Sequence, residues 1–161
     1  LGDALAVALL DARGFTADDF ARSHPAGALG KRLLLQVKHL MHTGQDLPKV
    51  APHTPMNQVL YEISNKRLGL TTIVDENDTL LGIFTDGDLR RLIDKQQGFD
   101  VNLAVSEVMT AQPSTIDAEA RAVEALAQLR DKKINQFVVV DAANKVIGVV
   151  SMHDLIQAGV N

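Results

Sequence analysis

The sequence predicts an α/β (α+β) fold made of a tandem repeat, each unit ordered β-α-β-β-α. The two units should pack as a pseudo-two-fold pair behind an N-terminal helical leader. Three observations carry this expectation. First, "GIFTDGDL" from Gly82 to Leu89 recurs as "GVVSMHDL" from Gly148 to Leu155. Second, sliding the chain so that Gly82 falls on Gly148 aligns Leu68–Leu89 with Ile134–Leu155. Identities then fall at Val74/Val140, Asp75/Asp141, Gly82/Gly148, Asp88/Asp154 and Leu89/Leu155, and Thr85 stands opposite Ser151. Third, "HLM" ending at Met41 answers "EVM" ending at Met109 once a two-residue difference in loop length is allowed. Self-similarity of this kind marks a repeat architecture. It divides the chain into a leader (1–34), a first repeat (37–95), a linker (96–104) and a second repeat (105–160).

Composition sets the limits. Of the 161 residues, 46% are apolar, enough for a proper core, but only 4% are aromatic and none is Trp, so the core must be aliphatic. The net charge of −4, with both signs interspersed, argues against a nucleic-acid partner, which usually demands a basic face. No run of about 18 apolar residues is present to span a membrane as a helix. The absence of cysteine removes disulfide and thiol chemistry and fits a cytoplasmic setting. The chain opens at Leu1 within an amphipathic helical pattern and reads as a piece of something longer.

The leader is Ala- and Leu-rich to Arg13, with Gly14 as a C-cap; Thr16 caps a short acidic helix, and "HPAGALGK" is a loop. In each repeat a polar loop follows the Met, then a helix, expected over Pro55 to Lys66 and Glu119 to Lys132. In the second helix Val123, Leu126, Ala127 and Arg130, with Leu129 beside them, recur at helical spacing and predict the buried face. Two short strands come next: "TTIVD" and "LLGIF" around the turn "ENDT", then "FVVVD" and "VIGVV" around "AANK". Polar clusters between β-branched runs are the hairpin signal. A last helix opens at Thr85/Asp86 and at Ser151, and "QQGFDVNL" links the units. One unit of this size buries too little surface to be comfortable alone, which is a physical reason for the duplication.

The repeated strand-to-helix loop is the candidate site. A helix start presents unpaired N–H groups and a partial positive charge, which attract phosphate and carboxylate oxygens. The hydroxyl of Thr85 or Ser151 faces such an oxyanion. Asp88 or Asp154, three residues on, accepts two hydrogen bonds well, and a vicinal diol such as a ribose offers two donors. The alternative is purely structural: [Thr/Ser]-x-x-Asp is also a capping arrangement that stabilises the helix. The first copy adds Asp86, Arg90 and Arg91; the second offers no cation within its motif except His153. A charged ligand is therefore expected to prefer the first copy.

With Met, hairpin and terminal G-h-h-[T/S]-x-x-D all in register, the region from Val37 to Val160 resembles a pair of cystathionine-β-synthase (CBS) repeats, the regulatory module called a Bateman domain. The resemblance implies nucleotide binding in the inter-repeat cleft, with Thr85 and Asp88 matching one site and Ser151 and Asp154 the other. It also brings in the residues before the hairpins, here Leu70, Thr71 and Gln136, and those after each opening Met, here Thr43 and Thr110. The leader, through "GDALA", "ARGF" and "DFARSHP", together with "FTDGDLRR", resembles arabinose 5-phosphate isomerases, in which a sugar isomerase (SIS) domain precedes a CBS pair. That family interconverts D-arabinose 5-phosphate and D-ribulose 5-phosphate on the route to the eight-carbon acid Kdo. Only His24 matches a residue implicated in its catalytic site, and "HPAG" stands where many relatives have "HPGG".

The resemblance implies a regulatory nucleotide, either an AMP/ATP-type adenine nucleotide or the pathway product CMP-Kdo, and no required cofactor. It implies a homodimer through the CBS pair and a tetramer in the full-length enzyme. A ligand-free assembly module of the same enzyme is the alternative, and no turnover is expected of this piece alone. His39-x-x-His42 has no third ligand at metal-site spacing, and the acidic stretch around Asp75 lacks a calcium-loop pattern.

Overall fold

A computed structural model describes residues 33–96 and 100–160. The leader up to residue 32, and with it His24, lies outside the described residues. Each repeat builds the hairpin and parallel strand of one sheet, and the elements run in the predicted order. The first repeat contains α1 (Val37–Leu40), β1 (Lys49–Val50), α2 (Met56–Lys66), β2 (Leu70–Val74), β3 (Leu80–Thr85) and α3 (Asp86–Gln96). The second contains β4 (Thr110–Ala111), β5 (Thr115–Asp117), α4 (Ala122–Lys132), β6 (Gln136–Val140), β7 (Val146–Ser151) and α5 (Met152–Gln157). The sheets are ordered β1-β2-β3-β4 and β5-β6-β7, with β1 parallel to β2, β5 parallel to β6, and each hairpin antiparallel.

The hairpins owe their shape to the repeated aspartates. Asp75 Oδ1 accepts from the N–H groups of Asn77 and Thr79, and Asp141 Oδ1 accepts from those of Ala143 and Lys145. These are the Asx turns that Asp favours. Asp78 and Asn144 then take left-handed backbone (φ 65° and 62°), a conformation short polar side chains tolerate. The register slips between Ile73 and Val74 and again between Val139 and Val140. The two turns touch across the pseudo-axis: Leu80 N–H donates to Asn144 O at 3.0 Å and Val146 N–H to Asp78 O at 2.9 Å. Beneath them Leu70, Val74, Leu80, Val138, Val146 and Val149 form a buried cluster shared by both repeats.

The remaining two cores are each completed by the other repeat. Val37 is buried with Leu126, Leu129, Phe137 and Leu155, and Met41 packs against that same group. Val105 is buried with Met56, Ile63, Phe84 and Leu92, with Met109 beside it. Backbone bonds follow the exchange. Val37 and Lys38 N–H donate to the carbonyls of Ala120 and Ala118, while Met56 and Asn57 N–H donate to those of Leu103 and Val101. His42 and Val149 exchange bonds of 2.8 and 3.1 Å, and β4 pairs with β3 at Gly82↔Ala111 and Ile83↔Thr110. The opening segment of each repeat thus lies against the sheet edge of the other, as the strand β4 in one case and as a single bridge at His42–Val149 in the other.

The glycines common to the repeats seat these exchanged segments. A Cβ on Gly148 would lie 2.6 Å from Met41 Sδ; on Gly82 it would lie 2.7 Å from the Thr110 carbonyl and 2.8 Å from Met109 Sδ.

Two expectations are corrected. The second helix starts at Ala122 rather than Glu119, because residues 118–120 form a turn, closed by Ala120 N–H on Asp117 O, whose Ala118 and Ala120 carbonyls receive Lys38 and Val37. Its buried face is Ala122, Ala125, Leu126 and Leu129, with Ala127 and Arg130 exposed. Small alanines let the helix approach closely, and the apolar spacing alone did not distinguish Ala125 from Ala127.

Gly82→Ala should lower stability by about 1–3 kcal/mol, the usual range for overpacking, since a backbone carbonyl blocks the new methyl. Gly148→Ala should be relieved by Met41→Ala, because there the closest obstacle is a flexible thioether. Gly87→Ala, whose nearest neighbours would stand 3.5 Å away or more, should be neutral or stabilising by up to about 1 kcal/mol. Denaturant unfolding of the single and double variants checks all three.

Candidate functional site

Each hairpin's second strand runs directly into a helix, and a reciprocal capping box fixes the junction. Thr85 Oγ1 accepts from Asp88 N–H at 3.1 Å, and Asp88 Oδ2 accepts from Thr85 N–H at 3.0 Å. Ser151 and Asp154 repeat this at 3.1 and 2.9 Å. The capping role foreseen as the structural alternative is therefore filled in both copies. What remains for a ligand is the outer edge of each carboxylate and the cleft in front of it.

The first cleft has a volume of about 510 Å3 and is lined by both repeats. The first repeat supplies Gly69, Leu70, Thr85, Asp86, Asp88 and Arg91; the second supplies Thr110, Gln112, Ser114, Asn135 and Gln136. Thr110 reaches it because β4 pairs with β3, and its hydroxyl donates to Asp88 Oδ1 at 3.2 Å. Arg91 Nη2 lies 2.5 Å from the same oxygen, but the Arg91 side chain is 73% exposed while Asp88 is 11% exposed. Gly69 (φ 76°) turns the chain into β2, and its carbonyl accepts from Asp86 N–H. Donors and acceptors thus surround a cavity whose floor is the apolar pair Leu70 and Val138, both buried.

The second cleft, about 730 Å3, is lined by Ser151, His153, Asp154, Asn135 and Gln136 together with Arg67, Leu68 and His42 of the first repeat. Here His42 Nε2 bonds both oxygens of Asp154, at 2.9 and 3.0 Å. Gln136 borders both clefts and donates to Leu68 O at 3.3 Å.

The structure gathers most of the expected residues. Thr85, Asp86, Asp88, Arg91, Thr110, Leu70 and Gln136 meet in the first cleft; Ser151, His153 and Asp154 meet in the second. Thr71 and Thr43 do not line either cavity. Thr71 is fully buried and its hydroxyl donates to Thr72 O. Thr43 is exposed before a 3-10 turn at Gly44–Asp46. Arg90 is exposed away from both. Outside the second motif, whose one candidate cation is His153, Arg67 and His42 join this cleft from the other repeat. His42 was legible in principle: it follows Met41 as Thr110 follows Met109. His39 accepts from Gln36 N–H instead, and among the described residues no three His, Cys, Asp or Glu side chains gather as a metal set.

This arrangement, two hairpin units whose helix junctions face shared clefts, is matched by the family model described as CBS domain over residues 37–95 and 105–161. The chain belongs to the CBS-domain family. It is also similar to arabinose 5-phosphate isomerase KdsD of Pseudomonas aeruginosa, with 53% identity over 99% of this chain and 49% of that protein. With the enzyme of the same name from Escherichia coli K12 the identity is 49%, over 99% and 48%. The chain spans about half the length of these curated relatives. Among solved structures, CBSX2 of Arabidopsis thaliana in complex with AMP aligns with a TM-score of 0.66 at 26% identity, covering 78% of this chain and 96% of that one. The CBS pair of MJ0100, in complex with 5′-methylthioadenosine and S-adenosyl-L-methionine, shares the fold at a TM-score of 0.67 and 19% identity, covering 77% and 94%.

Thr85→Ala and Ser151→Ala should each cost about 0.5–2 kcal/mol through loss of a cap. Thr85→Ser should be nearly neutral. Urea titrations in ligand-free buffer measure this.

Proposed function

We propose that the chain is the nucleotide-binding regulatory module of a cytoplasmic D-arabinose 5-phosphate isomerase. The observation that carries the proposal is the first cleft. A cavity of about 510 Å3 falls within the range of about 300–1,000 Å3 usual for small-ligand sites. On one wall Asp88 Oδ1 is held by the Thr110 hydroxyl and the exposed Arg91 guanidinium, partners that a diol can replace on the carboxylate while the guanidinium turns to a phosphate. Likeness to an AMP-bound CBS pair supports an adenine nucleotide, and likeness to isomerases of the Kdo route supports CMP-Kdo, whose CMP part presents the same ribose and phosphate. Asp88 takes the sugar hydroxyls, Arg91 and the Thr85 region take phosphate oxygens, and Gln112, Asn135 and Gln136 face the base. The parent protein performs the isomerisation through a domain outside the described residues, and it assembles as a homodimer through this pair and as a tetramer overall.

A second reading, a ligand-free assembly module, has one observation in its favour. The capping boxes give Thr85, Asp88, Ser151 and Asp154 a structural task that needs no ligand.

Thermal melting with AMP, ATP, CMP and CMP-Kdo separates the two. A ligand at about 100 times its dissociation constant should stabilise the fold by about 2.7 kcal/mol, and Asp88→Ala should abolish that gain while leaving a native melt. Flat curves for every nucleotide at millimolar concentration favour the assembly module.

A further inference from the structure

The two clefts are built on one plan but end in different hands. The residue after each opening Met is delivered to the other repeat's carboxylate: Thr110 to Asp88 and His42 to Asp154. We propose that His42 makes the clefts unequal, withdrawing Asp154 from diol recognition so that the chain takes one nucleotide, in the first cleft. The inference rests on the nucleotide-binding reading and adds to it which cleft is used and which residue decides.

The geometry distinguishes a blocked carboxylate from an available one. A carboxylate receives a diol by presenting both oxygens to the cleft, with about four lone-pair positions between them. At Asp154 one oxygen already accepts from Ser151 N–H, and the His42 ring spans both at 2.9 and 3.0 Å. The main chain delivers the ring to this place. Its backbone is held to Val149 by bonds in both directions, and Met41 beside it is seated on Gly148. At Asp88 the backbone partner is the same, with Thr85 N–H on Oδ2, but the side-chain partners are of another kind. Thr110 touches only Oδ1, through a hydroxyl that rotates and that accepts as well as donates. Arg91 is mostly in solvent, where an ion pair contributes little and a long side chain moves freely onto an incoming phosphate. One oxygen stays in the capping bond in both copies; the rest of the first carboxylate is freed by turning one hydroxyl and one exposed side chain, whereas the second is freed only by moving the His42 ring off a bond shared between both oxygens.

Isothermal titration of the whole chain with AMP, and separately with CMP, tests this through stoichiometry. The native protein should bind one equivalent of whichever nucleotide binds, and Asp154→Ala should not change that number. His42→Thr, which copies Thr110 into the second cleft, should bind two, and adding Asp154→Ala to it should return the count to one. His42→Ser serves the same purpose should the Thr variant melt abnormally. Two equivalents in the native protein, or no added equivalent in either His42 variant, overturns the proposal. Zero in the native protein with one in His42→Thr leaves His42 as the block but removes the first-cleft reading.

Discussion

The exchange of opening segments between the repeats is the constraint on which the rest depends. Met41 lies on Gly148 and Met109 on Gly82 so closely that a methyl group on either glycine would overlap the thioether. Seating each Met carries the residue that follows it across the pseudo-axis. Val37 and Val105 fill cores that belong to the opposite unit, and β4 closes the edge of the first repeat's sheet. An edge strand left open invites pairing with other chains; here each unit supplies the other's cover. Neither hydrophobic core is complete within one repeat, so the pair is the folding unit and its clefts are a by-product of the clasp.

Every identity between the repeats has a structural task. Val74 and Val140 flank the register slip, Asp75 and Asp141 make the Asx turns, and Gly82 and Gly148 seat the methionines. Asp88 and Asp154 cap helices, and Leu89 and Leu155 pack beneath them. Repetition therefore speaks for the fold. The repeats differ at other positions around the clefts: Leu70 against Gln136, Thr110 against His42, Arg91 against Gln157. A module that had to treat two clefts differently would be expected to diverge at these places while keeping its scaffold.

What was legible in the sequence was local. A polar quartet between β-branched runs, Asp at the turn and a hydroxyl three residues before an Asp each write their structure within a few residues. The pairing of His42 with Asp154 joins residues 112 positions apart and leaves no short-range signal. The CBS resemblance pointed to Thr43 in the loop after the opening Met, yet the residue delivered to the cleft is the one next to Met41, His42. The same resemblance pointed to Thr71 as a residue before the hairpin. It sits instead in β2, where all five residues are buried and Thr72 bonds Pro48 O across to the neighbouring segment. Arg67 entered the second cleft because it ends α2 in left-handed backbone (φ 61°), which turns the chain toward the opposite repeat.

Native-state hydrogen exchange tests the clasp most directly, through the cross-repeat amides of His42, Val149, Leu80 and Val146 compared with Ile73 and Val139 at the hairpin centres. If the exchanged segments are integral to the fold, both groups should open with the same free energy and the same denaturant dependence, as one unit. Exchange of the cross-repeat amides through a separate, low-energy opening, with the hairpin centres still protected, would contradict the account and reduce the clasp to a loose surface contact.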